Sequence, residues 1–155
     1  MLTKEQEATN YHTFRHIERV RNLLNKVIVD LLKRGEKHDQ SKLESPEVEL
    51  FTEYTDKLKN TDYGSDEYNQ YKKEMQVALD HHYANNRHHP EHYKNGIEDM
   101  TLIDLVEMLL DWKAASERHN TGNILKSIEI NGARFHMSPQ LVRIFENTAK
   151  DLDWM

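Results

Sequence analysis

The sequence predicts an all-α protein, a single-domain helical bundle of about six to seven helices over residues 1–155. The chain has 155 residues, which is the size of one compact domain. It has only five glycines and three prolines, so turns should be few and elements long. Its apolar residues recur at intervals of three and four, which is the period of an α-helix.

The first helix is predicted over residues 4–34, with Gly35 ending it. His16 lies on the apolar face of this helix, one turn before Val20. A histidine among apolar residues is more often a satisfied core residue than a ligand, so a functional role for His16 depends on partners elsewhere. The apolar face consists of Ile17, Val20, Leu24, Val27 and Leu31.

A short helix over residues 36–44 is predicted next, and it carries the stretch His38-Asp39-Gln40-Ser41-Lys42. That stretch places an imidazole beside a carboxylate, with an amine one helical turn later. A further helix should begin at Ser45 as the N-cap, with Pro46 in its first turn, and run to about Asn60.

The next predicted helix starts near Asp66, and its apolar stripe ends with His82 in the place of an apolar residue. His82 is therefore expected to point inward. The segment 85–96 should be irregular, because Pro90 disfavours helical geometry in the residue before it. Half of the ten histidines lie between residues 81 and 92, which favours a site over a solvated loop: His81, His82, His88, His89 and His92.

A mostly apolar helix is predicted over residues 99–119. Asp104, Glu107 and Asp111 share one face of it, and carboxylates on such a helix need a cation or a metal ion. Two further helices are expected, at about 121–131 and 139–152, and neither carries a catalytic signal.

The inward or clustered groups are nitrogen and oxygen donors from separate helices. Imidazole with carboxylate suits Zn, Mn, Fe, Co or Ni, and carboxylate with water also suits Mg. We therefore expect a divalent metal cofactor, one ion or two. The candidate metal ligands are His16, His38, Asp39, His82, His88 or His89, and Asp111, with Asp104 as an alternative to Asp111.

The order His16, His38-Asp39, Asp111 resembles the H…HD…D signature of the HD-domain superfamily of metal-dependent phosphohydrolases. The resemblance implies a helical fold with these four residues on one ion. The segments HDxSK, HHPE and EMxxDW look like a helical family of phages and bacteria that is related to HD proteins. The EMxxDW segment favours Asp111 as the final ligand.

The middle histidines resemble the branch of the superfamily that holds two metals. On this sequence, that branch implies His82 and one of His88 or His89 at a second site, with Asp39 bridging the ions. We assign His89 as the ligand. The chain departs from the nucleotidase branch, which has a glutamate at the position of Lys42, and it lacks the GYP tripeptide of cyclic-dinucleotide phosphodiesterases.

The resemblance implies a phosphohydrolase that uses metal-activated water on a nucleotide or another small phosphoester. Lys42 and Arg87 would neutralise phosphate charge, and Asn86 would contact the substrate or cap a helix end. Glu107 would orient a ligand histidine or act as an acid or base. His88 would protonate the leaving oxygen.

Two other functions compete with hydrolysis. The same ligands suit an HD-fold di-iron oxygenase, and a small phage-type binding protein could hold a structural metal. The composition narrows the partners: a net charge of −6 disfavours extended nucleic acid, and no apolar run approaches the roughly 20 residues of a membrane span. A homo-oligomer is compatible with the sequence.

The expected location is the cytoplasm of a bacterium or of a phage-infected host. The chain has no cysteine, which excludes a disulfide scaffold and thiolate metal sites and fits a reducing compartment. The first ten residues are charged and polar, so a signal peptide is not expected.

Overall fold

The computed structural model describes residues 2–62, 65–118 and 122–154, and every regular element among them is helical. The all-α fold with six to seven helices is thereby confirmed. The described helices are α1 (Lys4–Lys37), α2 (Glu47–Lys59), α3 (Asp66–Glu74), α4 (Gln76–Asn85), α5 (Leu102–Ser116), α6 (Ile124–Arg134) and α7 (Pro139–Asp151). Short 3-10 turns lie at Gln40–Leu43, Pro90–His92 and Gly96–Asp99.

The chain divides into two units, Met1–Lys37 and His38–Met155. The first unit is essentially α1, and the second holds the other six helices. The expectation of a single domain over 1–155 stays a prediction. Among the described residues, no helix combines the length and the apolarity that crossing a bilayer requires.

Helix α1 continues past Gly35, so the prediction that Gly35 ends it is wrong. A glycine inside a helix costs only about 1 kcal/mol relative to alanine, which is too little to stop a long helix. A Cβ at this position would meet nothing within 4 Å. The helix ends two residues later with Lys37, whose positive charge is favourable at the C-terminal end of the helix dipole.

The dyad His38-Asp39 does not lie in a regular helix, contrary to the helix predicted over 36–44. Asp39 has φ 58° and ψ 12°, in the left-handed region, and a 3-10 turn starts directly after it. Such a conformation costs a non-glycine residue roughly 1–2 kcal/mol, although aspartate tolerates it better than most. The reversal turns the two adjacent side chains towards each other, with His38 Nε2 3.6 Å from Asp39 Oδ2.

Helices α2, α3 and α4 form one layer of the second unit, against which the turn Gln40–Leu43 packs. The predicted helix through residues 66–82 is in fact two helices, because Met75 has ψ −10° where a regular helix has about −42°. Ser65 caps α3 by accepting a hydrogen bond from the Tyr68 amide, at 3.0 Å. Ser45 does not cap α2, whose N-cap position is held by Pro46.

Helices α5, α6 and α7 form the main apolar core of the second unit. Each helix contributes buried side chains, and Trp112 of α5 stacks on Phe135 at an interplanar angle of 7°. Ser138 accepts a hydrogen bond from the Leu141 amide at 3.2 Å and so caps α7. The buried members of this core are Met108, Leu109, Ile124, Ile128, Met137, Phe145 and Ala149.

A capping box fixes the start of α5. Thr101 accepts a hydrogen bond from the Asp104 amide, and the Asp104 carboxylate accepts one from the Thr101 amide. The same carboxylate is fully buried and pairs with Arg87, whose Nε lies 3.2 Å from Asp104 Oδ1. Asp104 is thus committed to holding α5 against the histidine-rich segment that precedes it.

Asp104→Asn is expected to lower the free energy of unfolding at pH 7 by about 2–3 kcal/mol, because the buried negative charge that pairs with Arg87 is lost. Burial alone would raise the pKa of Asp104, but hydrogen bonds from Arg87 and Thr101 hold it well below its usual range. Because the pKa of Asp104 is lower in the folded than in the unfolded protein, its ionised carboxylate stabilises the fold fully at pH values above the unfolded-state pKa of 3.8. This contribution is lost as the pH falls from there through the folded-state pKa.

Urea unfolding of both proteins between pH 3 and pH 8 tests this effect. The difference in free energy of unfolding between wild type and Asp104→Asn should be constant near neutrality and should become smaller below about pH 4. Asp56→Asn, an exposed position on α2, is the control and should leave stability within about 0.5 kcal/mol. A gap that is unchanged at pH 3 would contradict the role given to the Asp104 charge.

Candidate metal centre

Two groups of potential ligands lie in the second unit, and they share His88. The first is Asp39, His82, His88 and His89, and the second is His38, His88 and Asp111. Within each group, one ligand atom from every member lies within 4.8 Å of the others. A single ion or two neighbouring ions could therefore be reached by side chains that already converge.

Four parts of the fold supply these ligands. The turn after α1 carries His38 and Asp39, helix α4 carries His82 on its buried side, and helix α5 carries Asp111. The segment between Asn86 and Pro90 adds the two adjacent histidines, and it is a turn closed by a hydrogen bond from the His89 amide to the Asn86 carbonyl at 3.3 Å. The donors thus come from widely separated positions in the sequence, and tertiary packing brings them together.

Two polar atoms at the middle of this cluster are buried and have no hydrogen-bond partner. They are Asp39 Oδ1 and His88 Nε2, which lie 3.5 Å apart. His82 Nε2 is also 3.5 Å from Asp39 Oδ1. A buried polar atom without a partner costs about 1–3 kcal/mol, so such atoms call for an explanation. Shared ligation of a cation satisfies both.

Glu47 orients two histidines from the start of α2. Its carboxylate is fully buried and accepts hydrogen bonds from His81 Nδ1 at 2.7 Å and from His82 Nδ1 at 2.8 Å. Burial alone would raise the pKa of Glu47, but hydrogen bonds led by that from His81 lower it. With the proton of His82 held on Nδ1, its Nε2 presents a lone pair to the ligand group.

Glu107 plays the same part on the other side of the cluster. Its Oε1 lies 3.0 Å from His38 Nδ1 and 3.2 Å from His88 Nδ1. Helix α5 places Glu107 one turn before Asp111, so a single helix supplies both an orienting carboxylate and a ligand carboxylate. Both rings are thereby turned with Nε2 towards Asp39 and Asp111.

The surroundings of His38 and His89 shift the pKa values of these two side chains in opposite directions. The neighbouring carboxylates of Asp111 and Glu107 raise the pKa of His38 to about 10. Burial, followed by the positive potential of His88, lowers the pKa of His89 to about 3. His89 is therefore neutral at pH 7, and its Nε2 lies 2.8 Å from His82 Nε2, the distance of a hydrogen bond between the two rings.

Asp39 is held ionised beside Lys42. Burial alone would raise the pKa of Asp39, but the hydrogen bond from Lys42 and the charges of that lysine, His38 and His82 lower it. Lys42 Nζ donates to Asp39 Oδ2 at 2.6 Å, which leaves Oδ1 directed at the histidines. One carboxylate oxygen is thus paired, and the other faces the ligand group.

The donor set fits a divalent transition metal. Neutral imidazole and carboxylate are its ordinary ligands, and each histidine of the two groups except His89 has an acidic partner on Nδ1, as ligand histidines commonly do. The two unpartnered atoms at the centre, Asp39 Oδ1 and His88 Nε2, support the same reading. This buried group could hold a metal ion, and its chemistry does not single out one element.

From the sequence we assign His89 and Asp111 as ligands, with His88 and Asp104 as the alternatives. The structure places both histidines in the ligand group, and His88 belongs to both groups. Asp111 lies 3.6 Å from His38 Nε2, whereas Asp104 is taken up by the cap of α5 and by Arg87. The assignment of His88 as a proton donor stays a prediction.

His16 is a member of neither group found among the described residues. It lies on α1, in the first unit, and its side chain is exposed. The expectation that it ligates a metal stays a prediction.

The predicted substrate contacts have partners of their own. Asn86 is buried, and its amide donates to Ser41 Oγ at 2.7 Å and to the His82 carbonyl at 2.8 Å, so it ties α4 to the dyad turn. Arg87 is engaged with Asp104. Lys42, with 42% of its side chain exposed, is the cation beside the ligand group that also meets solvent. Substrate contacts by these three residues stay predictions.

Glu47 is the functional residue that sequence reasoning missed. The sequence showed it only as an acid in the first turn of a helix, where it is an ordinary favourable residue. Glu49 stands in the same turn with the same chemistry but is exposed. Nothing local distinguishes the two, because the contact that matters spans 35 residues, from Glu47 to His82.

Comparison with known proteins yields one family. A sequence model of a protein family matches residues 5–151, and that family is described as a family of unknown function, DUF5662. We found no curated protein and no solved structure that matches the chain.

Proposed function

The chain belongs to DUF5662, and we propose that this member is a metal-dependent phosphohydrolase that acts on a small phosphoester. The observation that carries the proposal is the convergence of Asp39 Oδ1 and His88 Nε2, both buried and unpartnered, with a lysine on the other oxygen of the same carboxylate. A cation site beside a substrate-facing ammonium suits an anionic substrate.

The order of the ligands in the sequence also supports the proposal. The sequence resembles the HD superfamily in the order of His38-Asp39 and Asp111, and these residues come together in the structure. Either group could hold a divalent ion, and His88 would ligate only one ion, because its Nδ1 is paired with Glu107 and Nε2 is its single donor. The metals that suit these donors are Mn, Fe, Co, Ni and Zn, and Mg is the oxygen-preferring alternative.

A divalent ion bound in this group supplies positive charge that polarises a phosphoryl oxygen and acidifies water. The protein supplies the remaining requirements. Lys42 holds an ammonium beside Asp39, where it can neutralise a phosphate oxygen. Glu47 and Glu107 lie on the Nδ1 atoms of three histidines, which directs the Nε2 atoms of these rings at the ligand groups.

A panel of phosphomonoesters, phosphodiesters and nucleotides, each with Mn, Co, Ni, Zn or Mg, tests the proposed activity. Release of phosphate or of the free alcohol by wild type supports it. Two bound irons with oxygen consumption would instead indicate an oxygenase. Bound metal without turnover of any phosphoester would indicate a binding protein, and either result contradicts the proposal.

Lys42→Met is expected to lower kcat/KM about 100-fold for a phosphoester substrate, because one charge-stabilising donor is lost. Metal content should stay near that of wild type, since the lysine contacts Asp39 Oδ2, whereas Oδ1 is the oxygen that faces His82 and His88. Steady-state kinetics with metal analysis separates the two effects. Lys72→Met, on an exposed position of α3, is the matched control and should change neither quantity.

A further inference from the structure

Helix α1 exposes a long apolar surface. It has 34 residues and is therefore about 51 Å long, and none of its residues is buried. Ten large apolar or aromatic side chains on it are at least 40% exposed. Six of them share one face of the helix, namely Ile17, Val20, Leu23, Leu24, Val27 and Ile28, and the other four, Tyr11, Phe14, Val29 and Leu32, lie outside that face.

Such a surface requires a partner. Soluble monomers rarely expose contiguous apolar patches of more than a few hundred Å², and larger patches mark interaction sites. A helix gains most of its stability from packing its apolar face against another element, so an unpacked helix of this composition is marginal in water. We therefore expect α1 to be covered in the functional state of the protein.

The spacing on α1 indicates what covers it. Positions 17, 20, 24, 27 and 31 alternate intervals of three and four, which is the a/d seam of a coiled coil. Leu23 and Ile28 flank the seam at g and e positions and widen it. A seam with this repeat packs best against a second helix that has the same repeat, because the side chains of one fill the holes of the other.

The matching helix is another α1. The next longest helix among the described residues is α5, with 15 residues and a length of about 22 Å, and two of its residues, Met108 and Leu109, already lie in the core. A second α1 matches the seam in both length and period. We propose that α1 is a self-association surface on which the α1 of a second copy of this chain packs along the seam.

The charges of α1 are compatible with this occupant. Residues 1–37 carry eight basic and five acidic side chains, so charges of both signs are present and the net charge is +3. The a and d positions from 17 to 31 are all apolar, so no like charges meet across the seam. A lipid surface is a weaker fit, because membrane-bound amphipathic helices have a polar face rich in lysine and arginine rather than one of mixed sign.

Sedimentation velocity and light scattering of the full chain at tens of micromolar test the proposal. Wild type should be a dimer or a larger oligomer, and Leu24→Asp should raise the dissociation constant at least about 100-fold by placing a charge in the seam. Asn22→Asp is the matched control, since it introduces the same charge on the opposite side of the helix and should associate like wild type.

A second experiment does not depend on the folding of a charged variant. The chain has no cysteine, so Leu24→Cys introduces its only thiol. A short bis-maleimide should join two copies through this thiol, while Asn22→Cys, about 20 Å from its counterpart across a helix pair, should not be joined. Circular dichroism checks that both variants remain helical.

Three results would overturn the proposal. They are a monomeric wild type at 100 µM, equal cross-linking of Leu24→Cys and Asn22→Cys, and binding of a monomeric wild type to anionic vesicles in place of self-association. The readouts are independent of metal and of phosphoester turnover, so failure here leaves the proposed function intact.

Discussion

Asp39→Asn is expected to weaken metal binding by more than about 100-fold, beyond the 10–100-fold that losing an orienting partner costs. The carboxylate is the acidic member of the four-ligand group, and its Oδ1 lies 3.5 Å from the Nε2 atoms of His82 and His88. An amide has nearly the same shape but lacks the charge that offsets that of the cation. The variant should also lose any phosphoester hydrolysis.

Calorimetric titration with Zn, Mn and Co, together with metal analysis of the purified protein, measures this loss. Asp80→Asn is the matched control, because Asp80 is exposed on α4 and lies outside both ligand groups. If Asp39→Asn binds metal as tightly as wild type, the centre is not where we place it. If wild type itself binds none of these ions, the proposed function fails with it.

Glu47→Gln is expected to weaken metal binding by about 10–100-fold although Glu47 belongs to neither ligand group. The carboxylate accepts from both His81 and His82, whereas an amide has one accepting oxygen and a donating nitrogen. One of the two rings must then turn or change its tautomer. The Nε2 lone pair of His82 would no longer be held towards the group.

Nitrogen NMR of the histidine rings separates this orienting role from a loss of stability. Wild type should show the proton of His82 on Nδ1, and Glu47→Gln should show a mixture of tautomers. Glu49→Gln, in the same turn but exposed, is the control and should keep both the spectrum and the affinity of wild type. A folded Glu47→Gln protein with unchanged tautomers and affinity would rule out the orienting role.

Two carboxylates from different helices orient the histidines of the centre. Glu47 holds His82 from α2, and Glu107 holds His38 and His88 from α5. Each helix belongs to a different layer of the second unit, so the position of the ligands depends on how these layers pack. Apolar substitutions in the core of α5 to α7 should therefore also lower metal affinity, because α5 carries Glu107 and Asp111.

Local pattern was sufficient for the elements and for part of the site. The 3.6-residue period predicted the helices, and the apolar stripe through residue 82 predicted an inward histidine. Local pattern failed at Gly35, since a single glycine costs too little to stop a long helix, and at Met75, where no proline or glycine marks the bend.

The sequence by itself determined an all-helical chain with histidines and carboxylates at the right intervals for a metal centre. Only the tertiary structure decided that Asp111 and not Asp104 joins the centre, that both His88 and His89 face it, and that Glu47 supports it. The physical reason is the range of the forces involved. Helical periodicity and capping act over about four residues, whereas these contacts join residues 35 to 73 positions apart and exist only once the helices have packed.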